Sequence, residues 1–82
     1  MDSSIEAELY EVILTRSQTV SAAQVGRCLV DHLKCSSELA NKIVNEVEDL
    51  GKAPCFVGKR SEAELLVKVL QGQSIASYMS PI

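Results

Sequence analysis

IVNEVEDLGKAPCFVGKRSEAE, residues 43–64, contains a Gly-Lys pair followed closely by a hydroxyl residue, and it admits two incompatible interpretations. The first is a phosphate-binding loop, G-x-x-x-x-G-K-[ST], in which backbone N–H groups wrap the phosphates and the hydroxyl binds magnesium. With Gly58-Lys59 as the pair, that motif requires glycine at position 53 and Ser or Thr at position 60. The chain has Ala53 and Arg60 instead, with Ser61 one place late, so nucleotide binding is rejected. The second interpretation is structural punctuation. Leu39, Ile43, Val47 and Leu50 form one apolar helical stripe with Ala40 and Val44 beside it. Ser36 or Ser37 supplies its N-cap, Glu38 sits where the helix dipole favours a negative charge, and Gly51 follows the last apolar position as a left-handed C-cap. Ala53–Gly58 then reads as a short apolar strand. Pro54 cannot donate a ladder hydrogen bond, so the strand lies at a sheet edge or begins at that proline. Ser61-x-x-Glu64 reads as a capping box opening a further helix, with Ala63, Leu66, Val67 and Leu70 inward and Gly72 closing it.

On the N-terminal side, LYEVILTR (residues 9–16) is rich in β-branched and aromatic residues and alternates as a strand does. A helix is the rival, since Ile5, Leu9, Val12 and Ile13 have helical spacing and Ser3-x-x-Glu6 imitates a capping box; the strand is preferred. After a connection at Ser17–Val20, Ser21 and Gln24 open a helix whose inward face is Ala22, Val25, Leu29 and Leu33. Gly26 weakens it by about 1 kcal/mol relative to alanine unless a neighbour packs closely there. SIASYMSPI, residues 74–82, reads as a last strand with Ile75, Ser77 and Met79 on one face and Ala76 and Tyr78 on the other. The order strand, helix, helix, strand, helix, strand implies a small two-layer α+β domain of β-α-α-β-α-β type, three helices covering one face of a three-stranded sheet. The acidic residues 1–8 are expected to be flexible and residues 9–82 to form a single domain.

The bulk numbers narrow the function. With 82 residues and 46% hydrophobic content the chain builds one aliphatic core, tryptophan being absent. A net charge of −3 argues against nucleic acid as a partner. No apolar run approaches the roughly 20 residues of a membrane span, and MDSSIEAEL lacks the basic and apolar regions of a secretory signal. Three cysteines without a signal read as reduced thiols, so a cytoplasmic protein is expected.

Two sets of residues could carry chemistry. Cys28-x-x-x-His32-x-x-Cys35 shares a face on a continuous helix, and Cys55 could complete a tetrahedral metal site or supply a thiol. Against this, cysteine packs as a small hydrophobe, no tight C-x-x-C pair is present, and the helix should end before Cys35. A Cys/His nucleophile is no better, because Asp31 points about 100° away from His32 and cannot orient it. No cofactor and no catalytic residue are assigned, and a metal- or thiol-dependent protein stands as the alternative. Charges are more suggestive: Glu46, Glu48 and Asp49 cluster at the end of the central helix, while Lys52, Lys59 and Arg60 flank the following strand. Acidic residues in a last helical turn oppose the dipole at about 0.3–1 kcal/mol each, which marks Glu46, Glu48, Asp49, Lys59 and Arg60 as candidate contacts for a protein partner.

Ile43–Glu64 resembles the corresponding segment of the ClpS-type Clp protease adaptors. The similar features are I-x-x-E-V (Ile43, Glu46, Val47), Gly51, Lys52-Ala53, and Ala63-Glu64 early in the last helix. YEVIL, Tyr10–Leu14, is similar to the family's first strand, so the resemblance covers about residues 9–79. The fold is also similar to the C-terminal domain of the bacterial ribosomal stalk protein, whose GTPase-recruiting surface is basic where this chain carries Glu46, Glu48 and Asp49. The adaptor resemblance implies a non-enzymatic protein that presents the N-terminal residue of a cargo to an AAA+ unfoldase. It places the pocket's Asn-Asp pair near Thr15-Arg16, its histidine on Glu48, and its apolar wall on Val44 and Val47. Arg16 would repel the cargo's amino group and Glu48 would attract it. The expectation is therefore a divergent adaptor for a Clp-type unfoldase without the usual N-degron pocket. Self-association through a sheet edge is a further alternative, and the sequence leaves the oligomeric state open.

Overall fold

The computed structural model describes residues 9–17 and 19–82; the expected flexibility of residues 1–8 and the cap imitation at Ser3-x-x-Glu6 lie outside the described residues. The elements are β1 (Tyr10–Thr15), α1 (Ala22–Leu33), α2 (Ser37–Leu50), β2 (Lys52–Gly58), α3 (Arg60–Gly72) and β3 (Ser77–Pro81), the order read from the sequence.

Local chemistry sets most boundaries. The Ser21 hydroxyl accepts the Gln24 N–H at 3.2 Å and the Ser36 hydroxyl accepts that of Leu39 at 3.1 Å, so both helices start on a serine cap. Helix α2 stops on Gly51, which adopts φ +88° and returns its N–H to the Val47 carbonyl at 2.8 Å. Two ends differ from expectation. Helix α3 begins at Arg60 rather than after a Ser61 cap; Lys59 takes the cap position, and the Glu62 carboxylate accepts its N–H at 3.1 Å. Only half a capping box is formed, because a lysine side chain has no acceptor to offer. Gly58 permits this start, since a Cβ there would stand 2.7 Å from both the Phe56 ring and the Glu62 carboxylate. Gly72 does not stop α3 but is its last helical residue, and the left-handed conformation falls on Ser74 at φ 65°.

The sheet has the order β2-β1-β3, with both outer strands antiparallel to β1. Pro54 thus lies in an edge strand, as its missing donor demands, although the strand begins earlier, at Lys52. Val12 pairs with Phe56 while Ile13 pairs with Pro54, which leaves Cys55 as the extra residue of a β-bulge. The three helices cover one sheet face. Val12 and Leu14 project into a core with Leu29, Ala40, Ala63, Leu70 and Ile75. Ile13 points the other way, yet its cross-strand partners Pro54 and Tyr78 shield it.

Two substitutions probe this core. Leu14 is fully buried, so Leu14→Ala should cost about 2–5 kcal/mol in urea unfolding. The Ser77 hydroxyl is buried with no hydrogen-bond partner among the described residues, so Ser77→Ala should be neutral or stabilising by about 1 kcal/mol. A large loss at Ser77 would show that the hydroxyl is satisfied after all.

Candidate functional site

The end of helix α2 gathers several of the residues singled out in the sequence. A helix C-terminus presents unpaired carbonyls and a partial negative charge, and Glu48 and Asp49 add to that charge. Arg16, just beyond β1, answers both. Its guanidinium donates to the Glu48 carbonyl, and its backbone N–H donates to the Gly51 carbonyl at 3.0 Å. Thr15 turns elsewhere, its hydroxyl and N–H both donating to the Ala76 carbonyl at 3.0 Å. Val44 and Val47 belong to the core. Of the five positions laid on the adaptor pocket, Arg16 and Glu48 therefore meet directly, Thr15 is held by the chain leading into β3, and the two valines are core residues.

The charged surface is arranged differently from its order in sequence. Glu46, Glu48 and Asp49 are exposed on α2, and Lys52 follows at the start of β2. Lys59 and Arg60, also exposed, lie past the far end of that strand, seven residues or about 20 Å away. The acidic and basic patches thus bracket β2 instead of adjoining. Arg60 forms an ion pair with Glu64 at 3.7 Å, one helical turn along α3.

The thiols converge but do not form a metal centre. Cys28 is buried in the core, with Cys35 and Cys55 packed against it. The Cys35 thiol donates to the Leu29 carbonyl at 3.6 Å, bringing it back over the last turn of α1. His32 is exposed and lines a different groove, with Leu65 and Phe56. Among the described residues no group of three His, Cys, Asp or Glu side chains could hold a metal ion, so the Cys28–His32–Cys35–Cys55 set is not a ligand cluster. The left-handed Lys34 ends α1 before Cys35, so Cys35 reaches the other thiols by folding back over the helix end and not at i+7, while His32 stays exposed. Burial, aided by the neighbouring Cys35 and Cys28, pushes the Cys55 thiol from 9.0 up to about 12. Burial, and secondarily the Asp31 carboxylate, raises Cys28. These thiols keep their protons and are poor nucleophiles.

Sequence reasoning missed two features. Nothing in the pattern signals that Arg16 reaches the α2 terminus, 32 residues away in the chain. The bulge that swings Cys55 toward the other thiols is likewise silent, since TRSQ and PCF are unremarkable as strings.

With this geometry in place, comparison with known proteins is decisive at the family level. The family model of the ATP-dependent Clp protease adaptor protein ClpS matches residues 5–78. The chain is a member of the ClpS family. No curated relative matches it. Among solved structures, this ClpS chain is similar to Agrobacterium tumefaciens ClpS2 bound to L-phenylalaninamide, with a TM-score of 0.79, 16% identity, and coverage of 92% of this chain and 98% of that one. At that identity the likeness establishes the fold. Family and neighbour both fall on the adaptor side, and neither supports the likeness to the ribosomal stalk domain. No helix among the described residues is long and apolar enough to cross a membrane. Family membership makes this a protein-interaction module.

The raised Cys55 thiol has a consequence for stability. Below pH 9 the thiol is protonated whether the chain is folded or not, so the fold keeps its full contribution. Between pH 9 and about 12 the unfolded chain loses the proton first, and stability falls as pH rises. Wild type should therefore lose more stability than Cys55→Val between pH 9 and 11 in urea titrations; equal slopes would show that Cys55 is not held protonated.

Proposed function

We propose that this ClpS-family protein is a non-enzymatic adaptor for a Clp-type AAA+ unfoldase, and that it does not select cargo through the usual N-degron pocket. Family membership supports the adaptor role. The contact of Arg16 with the Glu48 carbonyl supports the altered selectivity. An N-terminal ammonium group needs acceptors and a negative surround. Here the position laid on the pocket carries a guanidinium, itself a donor and a cation, and it already occupies a carbonyl at the helix end. The Glu48 carboxylate remains exposed, but Arg16 beside it offsets its pull. The valines that would form the apolar wall are in the core.

The neighbouring A. tumefaciens ClpS2 was observed with L-phenylalaninamide. That compound carries a free α-amino group on an aromatic residue, which makes it a direct probe. Titrated into the full chain and followed by NMR, it should produce no saturable shifts at Val44, Val47 or Glu48. Saturable shifts there would overturn the proposal that the pocket is altered.

The partner surface is proposed at Glu46, Glu48 and Asp49 at one end of β2 and Lys59 and Arg60 at the other. Reversing Glu48 and Asp49 to lysine should lower capture of a Clp-type unfoldase by about fivefold or more. Thermal stability should hold or rise slightly, because the new cations complement the helix dipole. Unchanged capture with an intact fold would remove these residues from the contact surface.

A further inference from the structure

A groove of about 450 Å³ lies along β2, lined by residues of α2, of β2 and, from β1, by Glu11. One wall is a face of α2, where Leu39, Lys42, Ile43 and Glu46 recur at helical spacing. The other includes Pro54, Val57 and Glu11. Ile43 belongs to the core on the helix side of the sheet, whereas Glu11 and Val57 are cross-strand partners on the open side, opposite in phase to Val12 and Leu14. A groove walled from both sides of a sheet follows its rim, and among the described residues this rim is the edge of β2 left unpaired.

The parts suit one kind of occupant. A strand edge offers a row of unused backbone N–H and C=O groups, which only an extended segment can match. Pro54 lacks the N–H and so limits that row to the stretch from Cys55 to Gly58. Leu39 and Val57 are about half exposed, at 48% and 51%, and supply apolar contacts on opposite sides of the edge. Two of the three charges in the lining are acidic, Glu11 and Glu46 against Lys42. Among the described residues none of the three is in an ion pair.

We propose that this groove binds an extended segment of a partner polypeptide, which adds to β2 as a fourth strand. Its side chains alternate between apolar ones, facing Leu39 and Ile43, and basic ones, facing Glu11. A second copy of this chain fits poorly, because antiparallel pairing of two β2 strands sets Lys52 of one copy toward Lys59 of the other. The chain's own residues 1–8 fit poorly too, since Asp2, Glu6 and Glu8 match the groove's acidic bias in sign.

The test uses the full chain, isotopically labelled, and an acetylated, amidated hexapeptide of alternating lysine and valine. The acetyl cap removes the free amino group, so the result is independent of N-terminal residue recognition and of unfoldase capture. Saturable shifts are expected along Leu39–Glu46 and Cys55–Gly58, with slowed amide exchange on the β2 edge. Methylating alternate peptide nitrogens should weaken binding by about tenfold, as two backbone hydrogen bonds are lost. Glu11→Lys should weaken it by about fivefold, and so should replacing the peptide's lysines by glutamate. The proposal fails if no saturation occurs at millimolar peptide, if the shifts lie elsewhere, or if the methylated peptide binds equally well. It also fails if sedimentation shows the same amides covered by self-association.

Discussion

Gly51 ties three elements together, and the geometry of the domain follows from its backbone. Its φ of +88° is open to glycine at little cost and strained for other residues. Its N–H closes helix α2 on Val47, and its carbonyl accepts the Arg16 N–H from the end of β1. The chain therefore reverses within one residue, so β2 runs back along the helix that precedes it while pairing with β1. Because α2 and β2 are joined so tightly, Leu39 and Glu46 of the helix line the same groove as Pro54 and Val57 of the strand. The acidic helix end and the basic start of α3 are driven to opposite ends of the strand by the same reversal.

The central position of β1 is the second constraint. Among the described residues it is the only strand paired on both sides, and its Val12 and Leu14 anchor the core under all three helices. Both outer strands carry a proline, Pro54 in β2 and Pro81 in β3, while β1 carries none. Prolines on exposed edges restrain uncontrolled strand pairing. The bulge at Cys55 adds a local twist to the β2 edge and places a thiol that burial keeps protonated. The edge is thus guarded at one point and open over the residues that follow.

The proposed change in cargo selection rests on the end of α2. A cationic side chain from beyond β1 satisfies a helix carbonyl there, that of the acidic Glu48. That arrangement is self-consistent as local electrostatics: Arg16 complements the helix dipole and offsets Glu48 and Asp49.

Much of the architecture was present in the linear pattern, because its signals are local. Serine hydroxyls at Ser21 and Ser36, the glycine at 51, the proline at 54 and apolar residues spaced for helices each act within a turn or a strand of themselves. They settled the order of elements and limited β2 to a sheet edge or to a start at Pro54, between which the sheet order β2-β1-β3 decides. Where the expected boundaries failed, as at Ser61 and Gly72, the cause was an equally local alternative: a different start to the helix or a reversal carried by an unexpected residue. Phe56 and Glu62 close over Gly58 and start α3 early, and Ser74 rather than Gly72 makes the turn. The charged residues were legible as identities but not as a surface, since sequence proximity says nothing about which end of a strand they occupy. The contact of Arg16 with α2, the gathering of Cys28, Cys35 and Cys55, and the groove along β2 were decided by tertiary structure alone. The Arg16 contact depends on β1 and β2 pairing across tens of residues, the groove on α2 packing against β2, and the meeting of Cys55 with Cys28 and Cys35 on the bulge in β2, none of which the local pattern specifies.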